Sequence, residues 1–274
     1  MAESLHRQIR VARRLSTLLL IGAMLVGPHA VAAALARGTS IIVFVDFSGS
    51  IRGPERASYR LELEREILPA LRPGDRIIVA PIHDRTLTGF RALAEATLPE
   101  PPRFNGWFDN RLEYNRRLRS TEKEMLDARE QLTRDVREAF SRPYASAYTD
   151  IFSSLVMAEK IFSGDSRRKV LVLMSDMIED NPPYKFDAMS WRPGTTERLL
   201  VDLAAKQRLA DLTGVCVYVS GASAATAQLV AEIARFWDAY FRRARADFDP
   251  SRYAPMLLHW PPSRGCAANQ FFKP

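Results

Sequence analysis

Val43-Phe44-Val45-Asp46-Phe47-Ser48-Gly49-Ser50 is the stretch on which the reading of this chain turns. An apolar run with no polar alternation delivers Asp46, and two hydroxyls spaced by Gly49 follow it. Alternate residues of an extended turn face the same way, so Asp46, Ser48 and Ser50 can converge on one point. Taken alone, the same residues serve to cap a helix, because Asp and Ser both favour loop-to-helix starts.

Outward from this stretch, four apolar runs read as buried strands: 40–47, 76–81, 168–175 and 215–219. Each is short, rich in Val, Ile or Leu, and continuous, as a strand covered on both faces should be. Helical patterns lie between them at 55–71, 150–162, 196–212 and 223–245, and residues 253–260 read as a last strand stopped by Pro261-Pro262. Alternating strands and helices predict an α/β domain, a doubly wound and mostly parallel sheet flanked by helices. In such sheets, sites form beyond the carboxyl ends of strands where the winding direction reverses. Asp46 ends one strand, Asp176 ends another, and Thr149-Asp150-Ile151 opens the helix before the second.

A strand ending in Asp46-x-Ser48-x-Ser50, then Thr149-Asp150-Ile151, then an apolar strand ending in Asp176, resembles a von Willebrand factor A domain with its metal-ion-dependent adhesion site. The resemblance covers about residues 40–260 and implies a Rossmann-like fold. It also implies a divalent cation, Mg²⁺ with Mn²⁺ or Ca²⁺ as alternatives, held by Asp46, Ser48, Ser50, Thr149 and Asp176. Ser48 and Ser50 would bind through their hydroxyls, Thr149 directly or through water, and Asp46 and Asp176 through waters. The donor set is all oxygen, which suits a hard cation. Neutral hydroxyls leave such an ion under-neutralised and able to take an Asp or Glu from a partner protein. Two departures stand out. Met177 follows Asp176 where the family often has Gly, which predicts a differently shaped loop. The long gap from Ser50 to Thr149 holds an insertion at about 103–142. Asp150 reads as the cap of its helix.

Catalysis is not expected. Phe47 stands where a G-x-S-x-G elbow needs its first glycine, Ser48 occupies the second acidic position of a D-x-D nucleophile pattern, and no Gly-rich phosphate loop appears. His83 reads as a satisfied structural histidine and His259, in the last strand beside Trp260, as packing, so a metal-dependent hydrolase is the weakest of the alternatives.

Residues 1–36 read as a secretory leader: Arg7, Arg10, Arg13 and Arg14, an apolar stretch at 15–27, then small residues ending in Ala34-Leu35-Ala36. The expectation is an exported protein, periplasmic or secreted, with an uncleaved inner-membrane anchor as the alternative. The domain would then span 37–262, followed by a tail at 263–274. The net charge of +7 includes +3 from residues 1–36, leaving +4 for the remainder, and no basic aromatic motif suggests nucleic acid. Export permits a disulfide between Cys216 and Cys266, although a buried, inert Cys216 is the simpler reading. The stretch 110–140 mixes arginines and acids, with Leu112, Leu118, Met125, Leu132 and Val136 on a narrow stripe. It predicts one long amphipathic helix, a solvated face or a contact surface. A membrane-tethered assembly component acting through that helix is therefore the alternative function. Phe236, Trp237, Tyr240 and Phe241 form a stripe expected to lie in the core.

Overall fold

The structure, a computed structural model, describes residues 38–107, 110–142, 146, 148–263 and 265–266; the expected leader at 1–36 lies outside them. The strands are β1 (Thr39–Asp46), β2 (Arg76–Ile82), β3 (Ala94–Thr97), β4 (Arg168–Met174), β5 (Val215–Ser220) and β6 (Asp247–Ala254). The helices are α1 (Gly53–Glu62, continued by a π-helical turn Leu63–Ile67 and a last turn Leu68–Ala70), α2 (Arg111–Ser141), α3 (Ile151–Ser163), α4 (Thr195–Ala205) and α5 (Ala227–Arg243). Pro54 fits the first turn of α1, where its missing N–H would be unpaired anyway. Side chains of Asn110, Asp150 and Thr226 accept backbone N–H groups at the starts of α2, α3 and α5.

The sheet order is β3-β2-β1-β4-β5-β6, with every pair parallel except β2–β3. The fold is therefore the doubly wound α/β architecture that the strand and helix alternation predicts. Successive residues of β1 feed opposite layers: Ile42 and Phe44 lie in one core with α3 and α5, and Ile41, Val43 and Val45 in the other with α1 and α2. Double coverage explains why the sequence of β1 does not alternate. Phe236, Trp237, Tyr240 and Phe241 are all buried, as expected.

Three readings are corrected. The last strand is Asp247–Ala254, not 253–260; Asp247, Asp249 and Pro250 hide it, because a bulged edge strand tolerates polar residues and proline. Short β3 was not anticipated. Cys216 and Cys266 are joined in a disulfide, so Cys216 is not an unpaired core residue. Arg168 Nε reinforces the closure by donating to the Cys266 carbonyl at 3.0 Å, and Trp260 Nε1 donates to Glu66 O at 3.1 Å. The chain after β6 is thus strapped back across the second core.

Helix α2 has 31 residues, about 46 Å at 1.5 Å per residue. Near one end the Phe140 ring lies 5.2 Å from Phe47, just past the end of β1. Farther back, Arg129 Nη2 donates to Leu71 O at 2.5 Å, beside the start of β2. Met125 and Ala128 still pack against the second core, so residues 111–124 run on past it for about 21 Å.

The disulfide closes a loop of 50 residues, so replacing both cysteines by alanine should lower the unfolding free energy by about 4 kcal/mol. Denaturant titration with and without reductant measures this, and a loss below about 1 kcal/mol would show that the hydrogen-bonded strap suffices.

Candidate metal site

Because β2 and β4 flank β1 on opposite sides, the winding direction reverses between β1 and β4. Asp46 ends the first of these strands, and Ser175-Asp176 follows the second. Asp46 is fully buried, and each carboxylate oxygen has a donor: Ser48 N at 2.8 Å on Oδ1 and Ser175 Oγ at 2.8 Å on Oδ2. The first bond folds the chain just after β1 and sets Ser48 Oγ 2.9 Å from Ser50 Oγ. Arg56 Nη2 bonds the carbonyls of Phe47 and Ser48 from α1, fixing the same turn from outside.

Asp176 accepts from Ile178 N at 2.9 Å and stays close to Asp46, with Ser175 between them. Burial raises the Asp46 carboxyl above its ordinary range, opposed by the Ser48 N–H and the Ser48 and Ser175 hydroxyls. Burial, then the neighbouring Asp46, pushes Asp176 up to about 7, opposed by the Ile178 N–H and the Ser50 and Ser175 hydroxyls. Two carboxylates out of water beside each other cannot both ionise cheaply without a cation.

Met177 was expected to reshape its loop. Its backbone takes a φ of 67°, the left-handed region that glycine favours. Met177 N–H donates to Ser175 Oγ at 3.0 Å and Trp237 Nε1 donates to the Met177 carbonyl at 2.9 Å. Its side chain is fully buried in the α3/α5 core, so tertiary contacts hold a backbone that costs on the order of 1 kcal/mol per residue.

The structure brings Asp46, Ser48, Ser50 and Asp176 together. Thr149 is buried at the same edge, its carbonyl accepting from Asp180 N at 3.0 Å, and Ser146 just before it bridges to Ser48 through the backbone. Among the described residues no hydrogen bond joins the Thr149 side chain to the two serines. Asp150 lies apart as a cap: it accepts from Ser153 N at 2.9 Å, from Asn181 Nδ2 at 2.5 Å, and from Arg208 Nη2 at 2.7 Å. His83 Nδ1 accepts from Arg85 N at 2.9 Å, and burial lowers its pKa.

Sequence reasoning missed three participants. Ser175 precedes Asp176 and could have been noticed as a hydroxyl at a strand end. Glu179 is fully buried and its Oε2 accepts from Ile151 N at 2.7 Å, holding the start of α3 together with Asp150. Tyr59 on α1 is buried with no hydrogen-bond partner for its hydroxyl. Burial raises its pKa first, then the charges of Asp46 and Asp176. That hydroxyl fits only because residue 221 is glycine: a Cβ at Gly221 would stand 2.1 Å from Tyr59 Oη. No local pattern announces Tyr59 or Glu179.

These observations fit a hydrated divalent cation. The donors are all oxygen, two buried carboxylates lie side by side with burial raising both, and an orphaned phenol oxygen could accept from a water held by the ion. Ser48 and Ser50 would hold the ion, with Asp46 and Asp176 orienting its waters.

No family profile matches the sequence, and no curated protein matches it. Among solved structures the chain is similar to the manganese-loaded Plasmodium vivax TRAP protein, at 14% identity and a TM-score of 0.32. That alignment covers 73% of this chain and 63% of the other, so this chain spans less than two thirds of that protein's length.

The raised Asp176 carboxyl has a consequence for the metal-free protein. A folded-state value of about 7 against an ordinary 3.8 means that its stabilising contribution is full below 3.8 and lost as pH rises to about 7. Wild type should therefore lose stability relative to Asp176→Asn across that interval, and Mg²⁺ or Mn²⁺ should offset that loss by stabilising wild type more than the variant. Thermal unfolding of both proteins at several pH values checks this; parallel curves without metal would contradict it.

Proposed function

We propose that this chain is an exported, metal-dependent protein-binding module of von Willebrand A type, without catalysis of its own. Its cation, Mg²⁺ or Mn²⁺, is held by Ser48, Ser50 and Thr149, with Asp46 and Asp176 acting through waters. Bound there, it supplies a Lewis-acidic position for a carboxylate from a partner's Asp or Glu. The observation that carries this reading is the Ser48–Ser50 hydroxyl pair, set beside two buried carboxylates where the sheet winding reverses. Neutral hydroxyls leave the ion's charge available to a partner. His83, the histidine at this end of the sheet, uses Nδ1 on its own loop, which supports binding over hydrolysis.

Calorimetric titration of Mg²⁺ and Mn²⁺ into the protein tests the reading. Wild type should bind one ion. Asp46→Ala and Asp176→Ala should each weaken binding by about 10–100-fold, and Ser48→Ala/Ser50→Ala should abolish it. Equal affinity in all four proteins would overturn the assignment, and so would absence of binding in wild type.

A further inference from the structure

Beyond the metal site, the far end of α2 has a composition of its own. Residues 103–119 carry Arg103, Arg111, Arg116, Arg117 and Arg119 against only Asp109 and Glu113. Closer to the domain the sign turns, with Glu122, Glu124, Asp127 and Glu130 opposing Lys123 and Arg129. The positive charge is thus concentrated where the helix stands farthest from the sheet. Large apolar side chains are exposed at the same place: Trp107 is 93% exposed, Leu112 61% and Phe104 44%, with the Phe104 ring set 5.1 Å from Tyr114. A solvated arm has no need of this group, which costs solubility unless something covers it.

We infer that this basic, aromatic tip docks on an anionic lipid surface, Trp107, Phe104 and Leu112 entering the headgroup region while the arginines engage lipid phosphates. Trp favours that depth because its ring is amphipathic, and each arginine near an anionic surface adds attraction that falls off within a Debye length. The apolar side chains stand exposed among arginines around the start of the helix, which suits a yielding anionic lipid surface. Gly38 and β1 begin at the amino end of the sheet, the end past which α2 overhangs. Apolar side chains that enter the headgroup region and a basic patch beside them add two attractions to one anionic surface. Docked this way, the protein holds its metal edge away from the bilayer.

The test uses the full chain with vesicles of phosphatidylcholine alone or of equimolar phosphatidylcholine and phosphatidylglycerol, both with brominated acyl chains. The quenched tryptophan emission that disappears in Trp107→Phe is the signal of the tip. It should be strong on the anionic vesicles, several-fold weaker on the zwitterionic ones, and reduced to that weaker level in Arg103→Ala/Arg111→Ala/Arg116→Ala. Unchanged far-ultraviolet circular dichroism keeps the variants comparable. Equal quenching on both vesicle types would overturn the electrostatic docking. An unquenched Trp107 on protein that sediments with anionic vesicles would overturn the proposal and assign the tip to a protein partner or a second copy of the chain.

Discussion

Two carboxylates buried side by side set the terms for this molecule. Asp46 has lost its water entirely, yet one oxygen ties the Ser48 N–H and the other the Ser175 hydroxyl. The second bond joins β1 to the end of β4 at the point where the sheet reverses its winding, and the first shapes the turn that pairs Ser48 with Ser50. Asp176 stands next along the chain, its carboxyl raised first by burial and then by repulsion from Asp46. A fold could avoid this cost with Asn or Ser at either place. Retaining both acids makes physical sense where a cation is meant to sit.

Support for this edge comes from every side. Arg56 holds the turn from α1, Trp237 holds the left-handed Met177 from α5, and Glu179 with Asp150 holds the start of α3. The hydroxyls are consequently fixed by elements rather than left on a free loop, which is what a preorganised ion site requires. The amino end of the sheet carries a different device, the overhanging helix with arginines and aromatic side chains at its tip. The chain thus separates two chemistries along the strand axis, oxygen donors at one end and basic, apolar contact at the other.

Much of this was legible because it is written in local pattern. Continuous apolar runs marked β1, β2, β4 and β5, and strand-end Asp46 and Asp176 marked the edge on which a site would form. Asp150 as a cap and the aromatic stripe of α5 followed from spacing alone. What escaped was set by tertiary contact. The polar residues of β6 are tolerated by an edge and a bulge, β3 is too short to show a period, and the cysteine pairing depends on how the tail crosses the second core. Tyr59 and Glu179 are ordinary helix and loop residues until folding carries them beneath the site.

The most direct test of the central claim is a crystal structure of the protein soaked with Mn²⁺, read by anomalous scattering. A single strong peak is expected within bonding distance of the Ser48 and Ser50 hydroxyls, with Asp46 and Asp176 reaching it through waters. A difference map without a peak there at saturating Mn²⁺, or with its strongest peak elsewhere on the surface, would contradict it.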